Sequence, residues 1–581
     1  MNLFSKYTKS HSISSGAIII ALFAVLSKIL GLARYSLIAS KFGTGPVADS
    51  YLAAFRIPDF IYGIMVLGAL STAFIPVFLD LRNKNKVSKD LGPQDLSVEP
   101  SEEGLSSVNI DHQKQLFSAV AVNQPKIKLL SKFKRITDTG KEPSHWELTS
   151  TLLNALLIIL LITSGIIWVF APFLTAKLVP GFDAERLALT VKLTRIMLLS
   201  PIIFAVSNIF GAILQAFRHF TLFAAAPVMY NLGIICGIVF GYPLFGPVGL
   251  AYGVILGAIL HLLIQMPHVF KMGFCWRPIL AWQSAGVKRV FRLILPRALA
   301  LSANQVNNLV NTFLASGLSA GSVAIFYNAY DLQSLPISLI AVSLAVASFP
   351  VLGELFIKDN TEDFRQLLFR VIKNILLMMI PLTLFMILLR AQIIRLILGH
   401  GEYNWEDTVR TLRIFGVLST SLIAQGLITI LARAFYAREN TKTPVLISLI
   451  SIGLNIILAF ILVRFYDLLG LAIAFSIAST ANCVLLWLAL NRQIKGMFDW
   501  GMVKIILKYA AAAGIGGCVL YINLYLIAEL IGTERVWSLL IQTAVSFLIG
   551  AGAYLVALWI LGEETAERLK KNLRRLTWRR Q

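Results

Sequence analysis

The chain has 581 residues, of which 57% are hydrophobic and 14% charged, and its net charge is +22. That charged fraction is well below the ~25% usual for soluble domains, and with a mean hydropathy of +0.75 it excludes a soluble globular protein in favour of a polytopic membrane protein. The positive excess is not a nucleic-acid footprint, because Lys and Arg sit mostly between apolar spans and at the chain ends, where topology signals belong.

Taken in chain order, about fourteen apolar segments have spanning length, centred near Ala24, Ile64, Leu160, Ile203, Ile234, Leu256, Leu301, Leu339, Met379, Ile423, Ile452, Ile477, Ala513 and Leu548. An even count places both termini on one side. Lys6 and Lys9, the cations of 268–297, the group Arg433, Arg438 and Lys442, and seven Lys or Arg in the tail all fall on that side if the spans alternate. The opposite loops "YPLFGPVG" and "SGLSAG" carry none. By the positive-inside rule both ends are expected in the cytoplasm. The loop with Arg390, Arg395 and Arg410 fits this pattern least well. No cleavable signal peptide is expected, since the first apolar stretch runs on into charge without a small-residue cleavage site.

The first span carries Lys28 and Arg34 within its apolar run. A charge near the bilayer centre costs at least ~2.5–3.5 kcal/mol on insertion scales. The two are ~9 Å apart along a helix and roughly 120° around it, so they share a wide cavity rather than a narrow stripe. The second span adds Asp49 near its outer end and Arg56 ahead of Pro58. Ionisable residues inside membranes nearly always face a cavity or the bundle interior. Three cations against one buried carboxylate favour an anionic ligand, and the planar fork of Arg suits phosphate oxygens. Structural readings stand beside this one: Lys28 snorkelling to the cytoplasmic face, Arg34 as a lip residue paired with Asp49, Arg56 as a structural partner of Asp49.

Residues 82–147 break the pattern. They are polar, with an acidic part at 90–111 and a basic part, "KIKLLSKFKR". They read as a disordered cytoplasmic loop or, around 126–136, as a surface-lying basic segment. In the seventh span Asn304, Asn307, Asn308 and Asn311 fall at i, i+3, i+4 and i+7 and share one helix face. That face either packs against another helix through amide bonds or lines the cavity, and Arg297 lies two turns before Asn304 on the same face. The tail "ERLKKNLRRLTWRR" has an amphipathic pattern suited to anionic lipid and equally to a topology anchor.

The chain repeats itself. "ASKFGTGPVADSYLA" at 39–53 and "ASGLSAGSVAIFYNA" at 315–329 agree at seven of fifteen positions without gaps, including Gly45/Gly321, Val47/Val323 and Tyr51/Tyr327. A weaker echo links "AILQAFRHFTLFAAAP" to "ILARAFYARENTKTP". Six spans separate the copies, so they are parallel repeats, an arrangement typical of transporters whose substrate site lies between the halves. The expected organisation is an N-lobe at 1–286, a C-lobe at 287–492, and a remaining pair of spans with the basic tail at 493–581. The four cysteines have no metal-ligand spacing and read as packing residues. No His cluster, nucleophile elbow or phosphate-cradling glycine motif is present. The reading is therefore a transporter and not an enzyme, with no cofactor.

"LSKILGLARYSLIASKFGTGPVADSYLAAFRIPDFIYGIMVLGALSTAFIPVF" resembles the N-terminal signature of the MurJ (MviN) lipid II flippases, within the multidrug/oligosaccharidyl-lipid/polysaccharide exporter superfamily. "LASGLSAGSVAIFYNAYDLQSLP" and "ARAFYARENTKTP" resemble that family's spans seven to eight and ten to eleven. The resemblance covers most of the chain outside 82–147. It implies fourteen spans, two lobes in a V, a central cationic cavity for the diphosphate and sugar headgroup of lipid II, and a groove for the polyprenyl tail at the extra pair of spans. By this resemblance Arg34 matches a cavity arginine, Lys28 stands where another arginine is usual, and Asp49 and Arg56 match an acid and a base. The chain departs from the pattern with Tyr62 and Gly63 in place of basic residues, and with Asp331, after Tyr330, where an arginine is expected. Arg297 is the expected compensating cation.

The implied function is translocation of lipid II across the bacterial inner membrane by alternating access, for cell-wall synthesis. Lys28, Arg34, Asp49, Arg56, Arg297, Asn304 and Asn308 are the expected substrate-binding residues. The expected partners are lipid II, membrane lipids and cell-wall synthesis proteins. Two other readings fit the same residues: a related exporter of another lipid-linked oligosaccharide or a drug, and a non-transporting scaffold that recruits partners through 82–147.

Overall fold

A computed structural model of the chain describes residues 13–64, 74–83, 144–494, 500–533 and 535–562, without the side chains of 13–18, 293–303 and 500. Most of the polar insert and the basic tail thus lie outside the described residues. Every regular element among the described residues is a helix.

The first helix, α1 (Ile13–Phe42), ends at Gly43, whose φ of +55° is the left-handed geometry of a glycine C-cap. Helix α2 (Pro46–Ala54) starts on a proline, where a missing N–H costs nothing, and α3 (Arg56–Tyr62) continues it past Phe55. Ser144 and Glu147 form a capping box at the head of α4 (His145–Leu178). Then follow α5 (Ala184–Met197), α6 (Leu199–Ala216), α7 (Phe220–Cys236) and α8 (Val248–Leu263). Two runs of glycine every fourth residue join α7 and its π-helical extension to α8. Gly233, Gly237 and Gly241 lie directly against Gly257, Gly253 and Gly249, leaving no room for a Cβ. Helices in lipid gain no hydrophobic drive from meeting, so close backbone contact between small residues supplies the packing.

The second half runs α9 (Ala285–Ser316), α10 (Ser322–Pro336), α11 (Val342–Ile357), α12 (Thr361–Leu388), α13 (Arg390–Ile397), α14 (Trp405–Ser419), α15 (Leu422–Ala437) and α16 (Lys442–Gln493). The 52-residue α16 is two helices folded at Asp467, where φ is +47°; Gly470 there lies against the backbone of Leu462. Last come α17 (Trp500–Ile531) and α18 (Val536–Ile560), which pack on α12, with the Tyr554 hydroxyl donating to the Leu377 carbonyl at 2.7 Å.

The repeat is visible in these elements. Gly45 and Gly321 are the N-caps of α2 and α10. The α5–α6 and α14–α15 pairs each end in a left-handed residue, Arg218 and Glu439. Among the described residues ten helices are long and apolar enough to cross a membrane, or eleven with the α14–α15 pair, bent by 43°. The expected fourteen is therefore not reached by length and apolarity alone. Helix α16 covers two of the expected centres, α9 is too polar to qualify, and the second span runs into 65–73, outside the described residues.

One large apolar core runs through both halves. A smaller one gathers Phe74, Phe78, Leu148 and Leu152 with Val287 and Val290. The first turns of α9 thus pack into the N-terminal half before the helix enters its own repeat.

Candidate functional site

Two sets of polar contacts run from α1–α3 of the first half to α10–α14 of the second. The first lies at the helix ends away from the start of α1. The Asp49 carboxylate on α2 accepts the Gly321 amide at 2.7 Å and the Ala324 amide at 2.8 Å, capping α10 across the repeat boundary. An acid there satisfies orphan amides and meets the positive end of the helix. Asp49 is 1% exposed, and its cation is Arg186 at 3.9 Å, not Arg34 or Arg56. Arg186 also donates to Asp183 at 2.6 Å, and its amide and guanidinium hold that surface carboxyl below the usual range. The mirror contact comes from the other half: Asp407 on α14 accepts from the Thr44 hydroxyl just ahead of α2. The Glu402 amide donates to the Ser40 carbonyl at 2.9 Å. Gly321, at φ +84°, lies against Thr44 too closely for any side chain. Arg410 donates to the Ala320 carbonyl at 3.1 Å and Ser319 Oγ at 2.6 Å, and Arg395 to the Thr533 carbonyl at 3.0 Å. Hydrogen bonds to carbonyls of other elements thus hold Arg410 and Arg395, two of the three arginines that fitted the charge bias poorly.

The second set lies deeper, where α1 meets α10. Tyr35 donates to Asp331 Oδ2 at 2.5 Å. The charges of Arg56, Arg34 and Lys28 all bear on that carboxylate. The Arg34 guanidinium carbon is 4.7 Å from the Tyr35 ring centroid, and that of Arg56 is 3.6 Å from the Tyr327 ring centroid, both cation–π distances. Tyr327 is held in turn by Thr312 at 3.0 Å and by donating to the Asn308 carbonyl at 2.9 Å. Asp59, one turn after Arg56, meets the charges of Arg56 and Arg34.

Arg34 stacks on Tyr35 and Arg56 on Tyr327, one turn before Asp331, while Lys28 shares the Arg34 helix and its charge bears on the same carboxylate. Their counter-charges, however, are Asp59 and Asp331, while Asp49 belongs to the interlobe cap. The balance is three cations against two acids, a smaller excess than the sequence alone implied. Asp59 was legible as an acid at i+3 from Arg56; Tyr35 was not, because nothing local marks it as the partner of a residue in the other half.

The asparagine face packs on another helix through an amide bond, the first of the two expectations, and its cleft belongs to the C-terminal half rather than to a central cavity. Asn455 Nδ2 donates to Asn307 Oδ1 at 2.6 Å. Asn304 and Asn307 also line a polar cavity of about 280 Å³ within the C-terminal half, with Tyr330 and Gln425. Asn308 contributes its carbonyl to Tyr327, and Asn311 is buried. Arg297 lies in α9 within the stretch whose side chains are outside the described residues. Where basic residues were expected, the Tyr62 hydroxyl accepts from Asn208 at 3.2 Å, and Gly63 lets α3 approach Gln305 of α9. Both positions serve packing. Among the described residues no group of His, Cys, Asp and Glu is arranged to hold a metal ion.

Comparison with known proteins places this architecture. The family profile described as "Lipid II flippase MurJ" matches residues 38–91 and 127–540. The chain is 28% identical over 561 residues to the probable lipid II flippase MurJ of Vibrio cholerae, covering 96% of this chain and 97% of that one. It is 26% identical to the lipid II flippase MurJ of Burkholderia cenocepacia over 84% of this chain and 86% of that one. Among solved structures, a lipid II flippase MurJ in an inward closed conformation superposes with a TM-score of 0.71, at 23% identity, over 94% of this chain and 99% of that one. An inward-facing MATE family multidrug transporter gives 0.59 at 17% identity, over 81% and 95%.

Proposed function

The chain belongs to the lipid II flippase MurJ family, and we propose that the cations meeting at the α1–α10 contact are where it holds the diphosphate of its substrate. The protein is a multi-pass membrane transporter that translocates lipid II. The observation that carries the binding proposal is the Tyr35–Asp331 hydrogen bond between the halves, with Arg34 stacked on Tyr35 and Arg56 on Tyr327. Asp331 takes the place of an anion among these cations, so a diphosphate entering the site competes with it. Arg34 and Arg56 offer planar forks of donors to phosphate oxygens, and Lys28 a point charge. Their ring partners orient them without neutralising them. Asn304 and Asn308 follow on α9, Asn308 through its carbonyl on Tyr327, and Arg297 is the cation of that helix we expect to join them.

The interlobe cap at Asp49 supports alternating access: closing one end requires Asp49 on the α10 amides and Asp407 on Thr44, and opening it requires both to part. We place the protein in the bacterial cytoplasmic membrane with both termini in the cytoplasm, which makes the Asp49 end periplasmic. Membrane lipids surround it, and cell-wall synthesis proteins are its expected neighbours. The test is complementation of a strain depleted of its lipid II flippase, with lipid II exposure at the outer face as readout. Wild-type protein should restore exposure and Arg34→Ala should not, at equal expression. Restoration by both would remove the diphosphate site from these residues.

A further inference from the structure

We propose that a groove on the flank of the N-terminal half binds an anionic phospholipid of the surrounding bilayer. The groove runs between α4 and the α5–α6 pair, is bounded by Tyr252 of α8, and has a volume of about 750 Å³. Ser164, Gly165 and Trp168 face it from α4, Lys192 and Arg195 from α5, and the rest of the wall is aliphatic. Trp168 and Tyr252 are about half exposed on membrane-crossing helices, so the groove opens sideways to lipid.

Its polar end has the chemistry of a phosphate site. Lys192 and Arg195 stand one turn apart on α5, ~12 and ~16 Å from its first residue, and Trp168 is ~15 Å from the end of α4. Helix α4 is ~51 Å long, about 20 Å more than a hydrocarbon core. The first turns of α4 take up part of that excess, since Asn154 there donates to the Arg277 and Ile279 carbonyls of a polar loop; Lys192 extends from α5 toward the headgroups by snorkelling, while Arg195 stays at the level of Trp168. Arg195 Nε donates to the Trp168 carbonyl at 3.1 Å, and its guanidinium carbon is 4.6 Å from the Trp168 ring centroid. That contact fixes the side chain and leaves its two terminal nitrogens for a ligand. Neither cation makes an ion pair among the described residues, and no acid lines the groove. Ser164 is 6% exposed, and its hydroxyl has no partner among the described residues.

The apolar end has room. A Cβ placed on Gly165 meets no atom within 4 Å. An acyl chain fits against that open face while the phosphate meets Arg195 and Lys192. A zwitterionic headgroup brings an ammonium that finds no carboxylate here, so the site selects a net negative lipid.

Native mass spectrometry of the full-length protein in detergent, titrated with phosphatidylglycerol or phosphatidylcholine of matched chains, tests this. The expected result is a preference for phosphatidylglycerol of about tenfold, the scale of one charge-assisted pair. Arg195→Gln with Lys192→Gln should erase that preference. Gly165→Leu keeps both cations but fills the groove and should weaken both lipids. If the double variant does not insert, Gly165→Leu and Arg195→Gln alone carry the test. Undiminished phosphatidylglycerol preference without the cations overturns the proposal, as does normal binding to Gly165→Leu. Displacement of the bound phosphatidylglycerol by lipid II would assign the groove to the substrate instead and overturn it as well.

Discussion

Asp331 is an acid at a position where the resemblance leads us to expect an arginine, and it does not stand alone. Tyr35 donates to it at 2.5 Å, and three cations bear on it. A hydrogen bond to a charged group contributes about 1.5–3 kcal/mol. Tyr35→Phe should therefore lower lipid II translocation at unchanged expression. Because both changes break one contact, Tyr35→Phe combined with Asp331→Asn should be no worse than Asp331→Asn alone. Additive losses in that double-mutant cycle would separate the two residues. Arg34 is the sharper probe of the site. Truncating one member of a desolvated charge pair costs about 2–5 kcal/mol, so Arg34→Ala should cut translocation at least ~30-fold. Lys28→Arg keeps the charge and adds a fork of donors, and should retain wild-type complementation.

At the scale of elements, the Asp49 cap joins two helices that the repeat makes equivalent. Asp49→Ala leaves the Gly321 and Ala324 amides without their acceptor, a loss of about 1–2 kcal/mol. The open-to-closed ratio at that end should rise roughly five- to thirtyfold. A cysteine placed at Gly317, labelled by a membrane-impermeant maleimide, reports it; unchanged labelling would confine Asp49 to local stability. The polar insert is a second element-scale test. Its composition has no period on which to build a packed face. Replacing 86–142 by a short Gly/Ser linker should preserve complementation, and loss of growth with intact expression would give the insert a part in recruiting partners or in regulation. The glycine runs of α7 and α8 show how much of an element can be legible yet go unread. Their four-residue spacing is plain in the sequence, but which two runs face each other is set by the fold.

For the whole molecule, translocation of lipid II moves a charged headgroup across the membrane, in our proposal past the cluster of Lys28, Arg34 and Arg56 with Asp59 and Asp331. Net charge crossing the membrane couples to potential at ~2.3 kcal/mol per charge per 100 mV. Clamping the potential to zero with valinomycin and potassium in proteoliposomes should therefore slow lipid II exposure, while an unchanged rate would assign the driving force to an ion gradient. The two interlobe contact sets divide this work. In the proposed mechanism the Asp49 and Asp407 caps close one end, and the Asp331 cluster meets the charged headgroup between the halves.

The sequence by itself determined the class, the parallel repeat, and the cationic residues of the first two spans. Each is a local signal: apolar runs are set by the bilayer thickness, an ungapped repeat needs no fold to be seen, and a buried cation is conspicuous wherever it sits. Tertiary structure alone decided the partners. Asp49 lies in the same span as Arg56, so local reading paired it with nearby cations. Folding instead brings it against amides more than 270 positions away, at the head of α10. Asp331 finds Tyr35 across a similar distance. A carboxylate excluded from water takes whichever donors the packed helices bring within reach, and in a two-lobed transporter those donors lie across the interface.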